Sequence, residues 1–135
     1  MIESTVAKSL KKIAEPSDTY MKDHALKLVK NRDILIEELI SSKFDIDFWI
    51  PKGGSFILVD ISRVKVDEKY MTDEHGNQRT KDWAFCHKLA NEEKVVAIPC
   101  SPFYSEEDAY LGANYVRFAF CKEADMIRDA GKRLK

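Results

Sequence analysis

The stretch Pro51-Lys52-Gly53-Gly54 limits what this chain can fold into more than any other part of the sequence. Proline presets one backbone dihedral and glycine admits positive φ, so the stretch is turn chemistry. Before it, Phe44-Asp45-Ile46-Asp47-Phe48-Trp49-Ile50 opens with apolar and polar residues in alternation, the period of a half-buried strand. After it, Ser55–Ile61 is almost continuously apolar, which predicts a strand buried on both faces. An antiparallel hairpin is the expected result.

Helical periods flank that hairpin. Val6, Leu10 and Ile13 predict a short helix over 2–14, broken at Glu15-Pro16-Ser17-Asp18 because proline disfavours helix in the residue before it. Ser17 or Asp18 then suits the N-cap of a second helix from Thr19 to Ser41, about 35 Å long at 1.5 Å per residue. Met21, Ala25, Leu28, Leu35 and Leu39 trace one stripe of it, and Leu26, Val29, Ile36 and Ile40 widen the stripe. A helix so long and two-sided bridges parts of a larger structure.

Downstream, Arg63–Lys81 is polar and reads as a long surface loop. Asp82 is placed to cap a helix through about Glu93, with Trp83, Phe85, Cys86 and Leu89 on its apolar side. Val95–Pro99 and Tyr115–Cys121 predict two more strands, and Glu123–Leu134 a last amphipathic helix. The order ααββαββα gives one α+β domain: an antiparallel or mixed sheet of about four strands covered by helices.

Composition removes several function classes. The formal net charge is -1, from 22 basic and 23 acidic residues, so nothing electrostatic favours nucleic acid or an anionic membrane. The apolar runs are far too short to span a bilayer, and the N-terminus lacks the pattern of a secretory signal. Cys86, Cys100 and Cys121 form no CxxC pair and read as ordinary buried thiols of a reducing compartment. His24, His75 and His87 have no metal-ligand spacing with them. Gly53-Gly54 is no phosphate loop, because it joins two strands and lacks the GK[ST] that follows one.

One residue stands out chemically. In Tyr115-Val116-Arg117-Phe118-Ala119-Phe120, alternation puts Val116, Phe118 and Phe120 on one face and Arg117 on the other with Tyr115 and Ala119. A guanidinium in mid-strand between apolar neighbours needs an anion, and its fork suits a carboxylate. That anion is either a ligand or an internal acid such as Asp60, and on side-chain chemistry alone the internal acid is the commoner solution.

Three stretches resemble the kynurenine/glutamine aminotransferases, a group of pyridoxal-phosphate enzymes that often also act as cysteine-S-conjugate β-lyases. Pro51–Ser62, PKGGSFILVDIS, is similar to their P-x-G-[GS]-[YS]-F-x-x-x-D-[IV]-S hairpin. Val96–Ser105, VAIPCSPFYS, is similar to V-A-I-P-x-S-x-F-Y-S, and Tyr115–Lys122, YVRFAFCK, to [YF]-[IV]-R-F-C-F-x-K. Asn31-Arg32-Asp33 stands where that family has [KRC]-R-D on a long helix. Ser55 departs from the tyrosine common at its position.

The resemblance covers nearly the whole chain and implies the C-terminal small domain of a fold-type-I aminotransferase, with residues 1–43 the helices leading into it. It implies that Arg117 binds the substrate α-carboxylate and that Gly53 and Gly54 form the turn at the substrate entrance, where close backbone approach favours glycine. The implied partners are amino acid and 2-oxo acid substrates, a large pyridoxal-phosphate domain and a second subunit, in the cytoplasm or the mitochondrion. It also implies that the Schiff-base lysine and most of the cofactor site precede Met1. Transamination needs that lysine as anchor and proton shuttle, so the chain alone is expected to hold no cofactor and to be inactive. A non-catalytic assembly subunit of the same fold is the alternative, and a free-standing small-molecule binder using Arg117 a third reading.

Overall fold

A computed structural model describes residues 2–14 and 19–135. The expected cap at Ser17 or Asp18 lies outside the described residues. Helix α1 spans Ile2–Ile13 and α2 spans Tyr20–Ile40. Strands β1 (Asp47–Trp49) and β2 (Phe56–Asp60) form the hairpin. Helices α3 (Glu68–Met71) and α4 (Lys81–Lys88) follow, then β3 (Ile98–Pro99), α5 (Ala109–Gly112), β4 (Tyr115–Ala119) and α6 (Ala124–Arg133).

The strands make one four-stranded sheet in the order β1-β2-β4-β3, antiparallel throughout. Both β2 and β3 run antiparallel to β4, so they are parallel to each other, and the segment joining them through α4 crosses over β4. The α+β reading with a helix-covered antiparallel sheet is therefore correct.

Period-2 alternation divides the sheet into two unlike faces. Ile57, Val59, Val116 and Phe118 point into a core completed by Ile34, Leu35 and Leu39 of α2, Phe85 and Leu89 of the crossover segment, and Ile127 and Leu134 at the C-terminus. Phe44 meets Phe85 edge to face with centroids 5.3 Å apart. On the opposite face, Trp49, Leu58, Arg117 and Ile98 stand in one cross-strand row. Trp49 is 54% exposed and Leu58 38%. The expectation that β2 is buried on both faces is thus wrong: helices cover one side only, and its apolar residues on the other side remain open.

Helix α2 behaves as two halves. Asn31, Ile34, Leu35 and Leu39 are buried, whereas residues 20–27 are all exposed. Its buried half packs on α6 so closely that a Cβ at Gly131 would overlap the Glu38 side chain. Asn31 donates to the Phe120 and Lys122 carbonyls at 3.1 and 2.6 Å, tying α2 to the end of β4.

Several local expectations change. The polar stretch over 63–81 contains α3, a bridge between Thr72 and Gln78, and a turn in which Asp73 accepts the amides of His75 and Asn77. Burial on α4 falls on Ala84, Phe85 and Cys86, while Trp83 is 41% exposed. A widened π-type turn, Leu89–Glu93, continues the helix and ends at Lys94 in the left-handed region, φ 57°. Cys86 and Cys100 are buried, but Cys121 is exposed because β4 ends at Ala119 and the chain turns away. Asp82 does not cap α4: Thr80 holds the N-cap position, and the Asp82 carboxylate reaches Ser101 instead.

Candidate carboxylate site on the open sheet face

Arg117 leaves the middle of β4 on the uncovered face, opposite Leu58 on one side and Ile98 on the other. Its guanidinium carbon lies 3.9 Å from the centroid of Phe103 and 4.8 Å from that of Phe56. Each such contact is worth about 0.5–2 kcal/mol, depending on how well water is excluded. Together the rings hold the fork in place without satisfying its hydrogen-bonding capacity. Nε of Arg117 is buried and has no hydrogen-bond partner.

Among the described residues, no carboxylate lies within ion-pair distance of Arg117. The internal acid singled out from the sequence, Asp60, accepts the Ser62 amide at 2.7 Å instead. Arg117 opens into a concavity of about 450 Å³ lined also by Leu58, Cys100, Phe103, Tyr104 and Tyr115. That lining offers one fixed cation, two phenols and no acid. Its chemistry suits a monoanion attached to an apolar or aromatic body. It contains no lysine, so these residues do not fit the seat of an aldehyde cofactor such as pyridoxal phosphate.

Burial raises the Cys100 thiol above its ordinary range, an effect that the Arg117 charge opposes and the Asp82 charge reinforces. Burial, with Asp82 and Cys100 nearby, pushes the Cys86 thiol up to about 12. Neither thiol is poised as a nucleophile at neutral pH.

Gly53 and Gly54 lie elsewhere. They line a smaller hollow of about 190 Å³ with Pro51, Ala25, Leu28, Val29 and Arg32 of α2, and Phe120. Arg32 donates to the Pro51 carbonyl at 3.2 Å, which fixes the turn against the helix. Gly54 has φ +79°, and a Cβ at either glycine would meet nothing within 4 Å. The two sequence-selected features thus occupy separate hollows, and Phe56, two residues after the turn, stacks on Arg117.

Sequence reasoning overlooked two aromatic partners of the arginine. Phe56 was accessible to it, because strand period puts Phe56 on the Leu58 face, diagonal to Arg117. Phe103 was not: it sits in a 3₁₀ turn, Ser101–Phe103, where no period predicts direction.

A helix-backed antiparallel sheet thus presents Arg117 on its open face, ringed by aromatic side chains. The chain belongs to the family Aminotransferase class I and II, whose profile matches residues 2–134. It is 39% identical over 101 residues to a Saccharomyces cerevisiae protein named as a probable kynurenine–oxoglutarate transaminase, covering 73% of this chain and 23% of that one. The kynurenine–oxoglutarate transaminase of Dictyostelium discoideum is 33% identical, with 85% and 27% covered. Among solved structures, Bna3p of Saccharomyces cerevisiae superposes with a TM-score of 0.80 at 31% identity, covering 96% of this chain and 29% of that one. An aspartate aminotransferase from Rhizobium meliloti shares the fold at a TM-score of 0.66 and 17% identity. The chain spans about a quarter of the length of the curated relatives it matches.

Proposed function

We propose that this chain is the C-terminal small-domain part of a pyridoxal-phosphate-dependent transaminase of the kynurenine/glutamine type, and that Arg117 holds the substrate α-carboxylate. One observation carries the reading: Arg117 is held against Phe56 and Phe103 on the open face with Nε unpartnered and, among the described residues, no acid beside it. A desolvated guanidinium in that state gains most from a bidentate carboxylate. The aromatic lining, Phe103, Tyr104 and Tyr115, supports an amino acid with an aromatic side chain, in keeping with relatives named for kynurenine.

The rest of the transaminase would supply the cofactor, its lysine, and the surface that closes over the open face. A second subunit and a cytoplasmic or mitochondrial setting complete the reading. Gly53 and Gly54 would lie at the substrate entrance. The chain by itself would orient a carboxylate and not turn it over. A non-catalytic assembly role for the same fold remains the second reading, favoured by the absence of lysine from the Arg117 concavity among the described residues.

Arginine substitution separates the two. In the complete transaminase containing this segment, Arg117→Ala and Arg117→Lys are expected to lower kcat/KM for amino acids and 2-oxo acids by at least ~30-fold, since the lysine keeps the charge but loses the fork. The corresponding amines, which lack the carboxylate, should be spared. Equal loss for amines and amino acids would make Arg117 structural.

A further inference from the structure

Among the described residues, the buried polar and charged side chains are Asn31, Asp82 and Ser101, and Asp82 is fully buried. A buried acid with no cation beside it is costly, so the groups that hold it point to its task. Asp82 Oδ2 accepts the Ser101 amide at 2.7 Å, while its Oδ1 has no partner. The charge gains what it can from the first turn of α4, where unpaired amides favour an anion. Its own amide donates to the Ala113 carbonyl at 2.9 Å.

The peptide that Asp82 grips, and the one before it, are held from other sides too. The Cys100 amide donates to the Tyr115 carbonyl at 3.2 Å. Gly112 presses on the same peptide, since a Cβ there would lie 2.7 Å from the Cys100 carbonyl carbon and from the Ser101 nitrogen. From that fixed point the 3₁₀ turn runs out: the Phe103 amide donates to the Cys100 carbonyl at 3.0 Å, and the Tyr104 amide to the Ser101 carbonyl at 3.1 Å. Phe103 itself is 62% exposed, so its ring is held by its backbone and by the guanidinium beneath it rather than by the core.

We infer that Asp82 is a positioning residue for the carboxylate site: by anchoring the Ser101 amide it sets the Phe103 ring on the Arg117 guanidinium. The inference rests on the reading of Arg117 as the carboxylate binder. A charged acceptor gives the stronger and shorter bond to a backbone amide, and the unshared Oδ1 is the cost of using one. Asparagine retains an acceptor for Ser101, whereas alanine leaves that amide unpaired.

The Arg117 Nε–H resonance of the 135-residue chain reports the geometry directly, because a ring face above a guanidinium shifts it upfield. Phe103→Ala defines the position without the Phe103 ring, with Phe56 still in place. Asp82→Ala is expected to remove at least about half of the displacement and Asp82→Asn to restore most of it. Titration with phenylpyruvate, followed at the same resonance, is expected to weaken about twofold to thirtyfold in Asp82→Ala, the range one cation–π contact commands.

Gly112→Ala pushes the same peptide from its other side and should reproduce the Asp82→Ala shift. An upfield position unchanged in both variants would overturn the inference. Loss of the dispersed spectrum in both would overturn it too, by making the pair part of the core framework. If phenylpyruvate moves nothing in the unsubstituted chain, or moves Arg117→Ala equally in its remaining signals, the carboxylate reading fails. The ring-shift comparison still decides the role of Asp82 in that event.

Discussion

The turn glycines differ in what they contribute, although the sequence presents them as a pair. Gly54 has φ +79°, a region that an L side chain enters only at a cost of about 1 kcal/mol or more. Gly53 has no such requirement, and among the described residues nothing beyond its two chain neighbours lies within 4 Å of where its Cβ would be. Gly54→Ala should therefore destabilise the domain by about 1 kcal/mol, measured by urea denaturation. Gly53→Ala should be neutral or stabilising by about 0.4–1 kcal/mol, through the unfolded chain's lost freedom. Equal costs at the two positions would show that φ is not what distinguishes them. Close approach, the reason first given for both glycines, does not operate among the described residues.

At the scale of elements, the contact between α2 and α6 sets a harder constraint than either helix's own propensity. Alanine is the better helix former by about 1 kcal/mol, so Gly131→Ala should stabilise an isolated α6. In the folded chain its Cβ would overlap Cβ, Cγ and Oε2 of Glu38, and the first of these cannot swing aside. The helices must separate, and overpacking of this kind costs about 1–3 kcal/mol. Gly131→Ala is therefore expected to lower the urea midpoint despite its propensity, while Lys132→Ala, at an exposed position, leaves it nearly unchanged. A raised midpoint for Gly131→Ala would show that the contact is loose.

The same scale explains what could be read in advance. Strand β4 was legible because alternation is local: Val116 and Phe118 go to the core and Arg117 to the other side. Helix α6 was legible from its period. Helix α5, the π-type turn at Leu89–Glu93 and the 3₁₀ turn are too short for any period to register. Asp82 was misread as a cap because its partner, Ser101, lies 19 residues away, and no local pattern encodes a contact of that kind. The apolar composition of β2 was visible, but which face the helices cover depends on packing that the strand itself does not specify. The arginine of the candidate site could be found, and its Phe103 neighbour could not.

For the whole molecule, the uncovered sheet face is the feature that sequence chemistry leaves unexplained by internal packing. Trp49, Ile50, Leu58, Phe103 and Tyr104 are 54%, 62%, 38%, 62% and 45% exposed, and Met21, Leu26 and Val29 on the outer half of α2 add 61%, 59% and 44%. Single exposed apolar residues are ordinary, but Leu58, Phe103 and Tyr104 line one concavity with Arg117, and such a grouping marks a surface made for contact. Covering one such side chain contributes about 1.5–3 kcal/mol, so several together can hold a partner once about 1,000 Å² is buried. On the proposed reading, the 135-residue chain by itself should satisfy that surface with a second copy. Sedimentation is expected to show self-association that grows with concentration, and a hydrophobic dye such as ANS should fluoresce on the folded chain. Trp49→Glu combined with Leu58→Lys should reduce both while leaving the helical circular dichroism intact, because neither side chain belongs to the core. A clean monomer at high concentration that binds no dye would mean that the face is content in water, and the case for a covering partner would fall with it.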